Sequence, residues 1–257
     1  MNAAPKPGAR AMAESVGVLL ALMALWWLAS HQQWVSKVFL PTPEATAGSL
    51  VQGLVSGELL DFTASTVIRM VLGWLLASLL GLGLGALIGS SATARAWIAP
   101  TFEFIRPLPA SAIMPLAISI FGLSSSMVLF VVAFGAMWPV LLATVYGLAS
   151  VHVRLREVSE ALQLTRLAFV WKIGLPNAMP DILAGMRLAL TVALIVTVVG
   201  EMIASQSGLG QAILLAARSF RASELFAGVV LLGLIGFASN SLLATLERRF
   251  LVWQKPG

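Results

Sequence analysis

The sequence contains no cysteine and only two histidines, His31 and His152. Disulfide staples, thiolate metal sites and histidine-rich metal centres are therefore excluded. Charge is scarce as well. Only 11% of the 257 residues are charged, against roughly 25% in ordinary soluble domains, too few to cover a surface facing water. Also missing is any G-x-x-x-x-G-K-[ST] segment. The run Gly81-Leu82-Gly83-Leu84-Gly85 lacks the lysine and lies inside an apolar stretch, so it cannot cradle a phosphate. No histidine–acid cluster and no serine–lysine pair at helical spacing is present, which argues against an integral membrane enzyme.

Apolar residues make up 59% of the chain, and the mean hydropathy is +0.93. A bilayer-spanning helix needs about 20 mostly apolar residues. Val16–Ser30, Val67–Ser90, Met127–Ala149, Leu188–Ala204 and Phe226–Leu246 approach or meet that length. Leu108–Leu123 is shorter and interrupted by Pro109 and Pro115, and reads as a sixth span that is broken or tilted. The expected fold is all-α, a polytopic membrane protein with six transmembrane helices. The expected partition is a cytoplasmic segment 1–14, a transmembrane body 15–250 with a cytoplasmic loop near 151–186, and a tail 251–257.

The basic residues set the orientation. With both termini in the cytoplasm, Lys6, Arg10, Arg95, Arg106, Arg154, Arg156, Arg166, Lys172, Arg187, Arg248, Arg249 and Lys255 fall inside. Lys37, Arg218, Arg221 and Arg69 fall outside or near the outer end of the second span. The bias, twelve against four, also explains the formal charge of +5 without a nucleic-acid partner; the partner is the lipid bilayer. An alternative for the first span is a cleaved export signal ending at Leu28-Ala29-Ser30.

Within the second span, Ala77, Gly81, Gly85 and Gly89 recur every four residues, which stacks small side chains on one face and predicts a close helix–helix seam. Trp26, Trp27, Trp34, Trp74, Trp97, Trp138 and Trp253 fall mostly near proposed span ends, as an aromatic belt requires. Glu201 follows a long apolar run; it either lines a pathway or serves as a structural partner of Arg69 or Arg218. Arg106 and Arg187 lie near the cytoplasmic boundary and read as lipid anchors or as gate residues of a pathway that also includes Pro109 and Pro115. Ser239, Asn240 and Ser241 are expected to hydrogen-bond between helices.

The segment Val151–Arg187 holds Leu155, Val158, Leu162 and Thr165 at helical spacing, with Arg154, Arg156, Glu157, Glu160 and Arg166 among them. Such an amphipathic helix can lie on lipid or dock into a partner. Glu157-Val158-Ser159, then Thr165-Arg166 through Ile173-Gly174-Leu175-Pro176, resemble the signature loop of binding-protein-dependent permeases of ATP-binding cassette (ABC) importers. That pattern begins Glu-Ala-Ala, has a glycine six residues after the glutamate, and ends in an apolar residue and Leu-Pro. Further fragments in the expected order include Arg106-Pro107-Leu108-Pro109, Trp138-Pro139-Val140, Gly200-Glu201-Met202 and Ser207-Gly208-Leu209-Gly210. Together they resemble the nitrate, sulfonate and taurine branch, from about residue 15 to the carboxyl terminus.

The resemblance implies a type I ABC importer permease fold in a bacterial inner membrane and no catalysis by this chain. ATP and Mg would sit on a partner ATPase, and this chain would bind no cofactor and no metal. It also implies two permeases, here a homodimer since no internal repeat is visible, two cytoplasmic ATPase subunits and a periplasmic binding protein received at His31–Asp61 and Ser205–Glu224. Glu157, Glu160, Ala161, Leu162, Gln163, Leu164, Leu175 and Pro176 would form the coupling element, with Glu157 meeting donors on the ATPase. The substrate implied is a small organic anion such as a sulfonate or taurine, with nitrate, aromatic acids, vitamin precursors or bicarbonate as alternatives. The chain departs from the pattern at Val158, Ser159 and Gln163. With glutamine in place of glycine, the usual turn between two short helices is not expected; a continuous helix or a changed ATPase contact would replace it. An ion-coupled secondary transporter is the main rival, but one intramembrane acid and no repeat argue against it.

Overall fold

A computed structural model describes residues 9–251, with the side chains of residues 9–13, 92, 99 and 250 not described. Lys6, Trp253 and Lys255, the side chain of Arg10, and most of the expected end segments 1–14 and 251–257 lie outside the described residues. The described elements are all helical. They are α1 (Ala9–His31), α2 (Pro43–Val55), α3 (Glu58–Gly89), α4 (Ala92–Ile105), α5 (Ala110–Phe121), α6 (Ser125–Ala149), α7 (Val153–Ala161), α8 (Arg166–Phe169), a π-helical turn (Val170–Gly174), α9 (Leu175–Ala204), α10 (Leu209–Arg218) and α11 (Ala222–Phe250).

Five of the described helical stretches are long and apolar enough to cross a membrane, starting with Glu14–His31 and including the continuous helix Arg166–Ala204. The sixth span is not one tilted helix. α4 and α5 meet at 89°, and the twelve residues of α5 reach only about 18 Å at 1.5 Å per residue, short of a hydrocarbon core of about 30 Å. The break is chemical. Pro107 and Pro109 remove backbone donors just past the Arg106 C-cap of α4, and Pro109 stands at the N-cap of α5.

The chain divides into two compact units. One comprises residues 9–60 with Ala212–Val230. In it Thr42 caps α2 by accepting from the Ala45 N–H at 3.2 Å, with Pro43 at the first position. Trp26 donates to the Pro41 carbonyl at 3.0 Å and stacks on Phe226 at 5.8 Å. Trp27 donates to Glu44 at 2.9 Å. The Glu44 backbone N–H holds the Glu44 carboxyl below its ordinary range; desolvation, the next largest effect, opposes it, and Thr42 and Trp27 add to the lowering.

The other unit comprises Asp61–Gln211 and residues 231–251. Its core lies where α3, α6 and α9 pack. Met70, Val131, Val132, Val140, Leu141, Ala189 and Ala193 are buried there. Small residues let the axes approach. A Cβ added at Gly81 would lie 2.7 Å from the Met137 carbonyl oxygen, and one at Gly89 would lie 3.1 Å from Val145 Cα. Ala77 is fully buried in the same line, so α3 presents Ala77, Gly81, Gly85 and Gly89 to α6. Two tryptophans depart from the belt. Trp74 donates to the Met186 carbonyl at 2.9 Å, tying α3 to α9, and Trp138 is buried within α6 against Phe102 and Phe134.

Candidate functional site

The segment after α6 folds as an arm made of the short helix α7 and the start of the continuous helix Arg166–Ala204. α6 ends at Ala149, and His152 Nδ1 accepts from the Arg154 N–H at 3.2 Å to start α7. Arg156 then reaches back and donates to the Leu148 and Ala149 carbonyls at 3.1 and 3.3 Å. A guanidinium there satisfies terminal carbonyls and complements the helix dipole. Its charge also sits 5.8 Å from the Phe169 ring centroid. In the sequence Arg156 stands only as one cation among several. A basic residue seven positions past a strong apolar helix was the signal available.

The expectation of an altered turn at Gln163 is corrected. α7 stops at Ala161, Gln163 has φ +50°, and a new helix begins at Arg166 behind the Thr165 N-cap. The Gln163 N–H donates to the Glu160 carbonyl at 2.9 Å and the Leu164 N–H to Ser159 at 3.0 Å, the pairing of a Schellman helix end. Glutamine thus accepts the left-handed conformation usually left to glycine, and the turn is retained.

Of the arm residues singled out above, Glu157, Glu160, Ala161, Leu162 and Gln163 are exposed, and Leu164 is half-buried. Leu155, Val158 and Leu162 also face outward, at 41%, 50% and 66% exposure. Among the described residues, little of this chain covers the apolar stripe of α7. Leu175 is different. It is half-buried and packs on the buried cluster of Leu148, Val170, Ala178 and Ile182, at the base of the arm. Pro176 is exposed at the start of α9.

The other candidates are dispersed. Arg106 is exposed and caps the end of α4, beside a cavity of about 140 Å³ shared with Arg95, Glu103 and Tyr146. Pro109 and Pro115 are exposed on α5. Arg187 is paired with Glu247 of α11. Glu201 is fully buried. Arg69 Nη1 lies 2.6 Å from it and also donates to the Ser207 carbonyl at 2.7 Å. Thr66 Oγ1 lies 2.9 Å from the same carboxylate, which also accepts the Gly210 N–H at 3.0 Å. Thr66 Oγ1 in turn accepts the Leu209 N–H at 2.9 Å. A carboxylate so enclosed faces no pathway among the described residues, and Arg69 is its charged partner. Thr66 was not foreseen, although its i, i+3 spacing to Arg69 puts both on one face of α3.

Among the described residues no group of histidines and acids could hold a metal ion. Residues 77–252 match the family described as binding-protein-dependent transport system inner membrane component. The chain is 33% identical over 251 residues to the putative aliphatic sulfonates transport permease protein SsuC of Bacillus subtilis (strain 168), covering 97% of this chain and 91% of that protein. It is 30% identical over 253 residues to the taurine transport system permease protein TauC of Escherichia coli (strain K12), covering 96% and 92%. Its fold matches a chain of the inward-facing MetNI methionine ABC transporter with a TM-score of 0.66 at 18% identity, over 76% of this chain and 97% of that one.

Proposed function

This chain belongs to the family of binding-protein-dependent transport system inner membrane components, and we propose that it carries a small organic anion of the sulfonate or taurine kind across the bilayer. It is the membrane-embedded, non-catalytic permease subunit of an ABC importer. Two copies form the pathway around a two-fold axis. A periplasmic binding protein delivers the anion, and two cytoplasmic ATPase subunits hold ATP and Mg. The sulfonate and taurine permeases at 33% and 30% identity support the choice of substrate.

Coupling runs through the arm. The observation that carries this reading is the uncovered apolar stripe Leu155, Val158 and Leu162, flanked by exposed Glu157 and Glu160. Left in water the stripe is unfavourable, at about 25 cal/mol per Å² of apolar surface; a cleft on the ATPase covers it. Glu157 meets donors on the ATPase, and Ala161, Leu162 and Leu164 enter its cleft. Arg156 fixes α7 to the end of α6, and Leu175 fixes the base of the arm to the core. Displacement of the arm is therefore passed to α6 and α9.

The test is Glu157→Lys in the assembled transporter, scored by copurification of the ATPase, ATPase stimulation and anion uptake. Weakened copurification or lost stimulation is expected; full uptake with normal assembly overturns the assignment. For the substrate, calorimetry on the cognate binding protein should show an organosulfonate as ligand. Failure to bind any sulfonate overturns that part alone.

A further inference from the structure

We propose that the face of α3 opposite its glycine seam binds one acyl chain of an anionic glycerophospholipid of the cytoplasmic leaflet, with the lipid phosphate on Arg166. A cavity of about 800 Å³ lies between α3, α4 and the α8–π turn segment. Leu79, Leu82, Gly83, Ala86 and Leu87 line it along α3, and Arg166 and Trp171 stand across from them. Three observations select the occupant.

The first is length. From Leu79 to Ser90 the lining follows α3 for about 17 Å at 1.5 Å per residue. One leaflet contributes about half of a 30 Å hydrocarbon core. The groove thus matches a single chain in one leaflet.

The second is polarity. The lining is apolar toward Leu79 and becomes polar at Ser90, Ser91, Arg166 and Trp171, at the end that the basic-residue bias assigns to the cytoplasm. Arg166 has no ion-pair partner among the described residues, and Trp171 is 66% exposed with its indole N–H unshared. A guanidinium and an indole donor above an apolar slot complement a phosphate and an ester carbonyl above a hydrocarbon chain.

The third is the glycine. A Cβ added at Gly81 would lie 2.7 Å from a carbonyl oxygen of α6, whereas one added at Gly83 would meet nothing within 4 Å. Packing between the protein's own helices does not require Gly83. It leaves the groove open at that point, where a bulky side chain would intrude on a bound acyl chain.

The bound lipid would fill the space under α8, so the arm's base rests partly on lipid. The experiment uses the full chain purified from membranes, incubated with phosphatidylglycerol or phosphatidylcholine and read by native mass spectrometry. Wild type should retain phosphatidylglycerol about fivefold better, the factor expected for one basic contact at a membrane surface. Arg166→Gln should level that preference, and Gly83→Phe should abolish retention of both lipids. Thermal unfolding checks that each variant is folded. As an independent probe, Leu79→Cys, the sole thiol in an otherwise cysteine-free chain, is labelled with a fluorophore. Spin-labelled phosphatidylglycerol should quench it more strongly than spin-labelled phosphatidylcholine. Equal retention by wild type and both variants, equal quenching by the two lipids, or cross-linking of Leu79→Cys to a second copy would each overturn the proposal.

Discussion

At the scale of single residues, Glu201 and Gln163 make opposite demands. Glu201 is buried and its charge is compensated by Arg69, with Thr66 and the Gly210 N–H completing the shell. Removing one partner of such a pair leaves an uncompensated charge, at a cost of about 3–5 kcal/mol. Glu201→Ala should therefore lower the unfolding midpoint of the purified chain sharply, and Glu201→Gln less, since it keeps a hydrogen-bonding side chain. Thr66→Ser should be nearly neutral because the hydroxyl remains. Loss of uptake by Glu201→Ala with an unchanged midpoint would instead make Glu201 a pathway residue. Gln163 concerns backbone conformation. At φ +50° a side-chain-bearing residue is strained by about 1–2 kcal/mol, while glycine costs about 0.5–1 kcal/mol in chain entropy. Gln163→Gly should be slightly stabilising and retain ATPase stimulation, and β-branched Gln163→Val should be destabilising. A midpoint higher for valine than for glycine would contradict the turn geometry.

Between elements, the seam on α3 explains why a run rich in glycine remains a long helix. Each glycine costs about 1 kcal/mol of helix propensity relative to alanine, and the approach to α6 offsets that cost only where contact is made. Gly81 and Gly85 are such positions, with added Cβ atoms 2.7 and 2.6 Å from their nearest neighbours, and Gly83 is not. Gly81→Ala and Gly85→Ala should each destabilise by about 1–3 kcal/mol through overpacking, whereas Gly83→Ala should be neutral or stabilising. Unfolding of the three variants side by side checks the ordering. The four-residue spacing made this seam legible from sequence, as hydropathy did the long spans. Other features were less accessible. Proline placement indicated a break before Ala110, but its 89° angle depends on what both flanking helices pack against. The turn at Gln163 is not legible from residue identity alone, because the Schellman hydrogen bonds and the Thr165 cap outweigh the side-chain penalty. The Leu-Pro pair in the sequence does not reveal which face of α9 meets Leu148, so the packing of Leu175 on that cluster was not legible.

For the whole molecule, the unresolved choice is whether the bent pair α4–α5 crosses the bilayer or folds back. Parity decides it. Ser90 and Ser91 line the same cavity as Arg166 and Trp171, so the chain leaves α3 and begins α8 on one side of the membrane. Between those points it must cross an even number of times. α6, at 25 residues, crosses once at about 37 Å of helix, and the bent pair must supply the other crossing. Charge gives the same answer. With the pair crossing, twelve basic residues fall on one side and four on the other. With it folded back, Lys6, Arg10, Arg95, Arg106, Arg218 and Arg221 would share a side opposite the remaining ten, and most of the asymmetry that orients membrane proteins would disappear. The chain has no cysteine of its own, so the test is clean. Ser90→Cys and Glu157→Cys should both react with an impermeant maleimide only in inside-out vesicles, and Gln206→Cys only in right-side-out ones. Labelling of Ser90→Cys and Glu157→Cys from opposite faces would mean that α4 and α5 form a re-entrant hairpin, placing the arm on the side that no ATPase could reach.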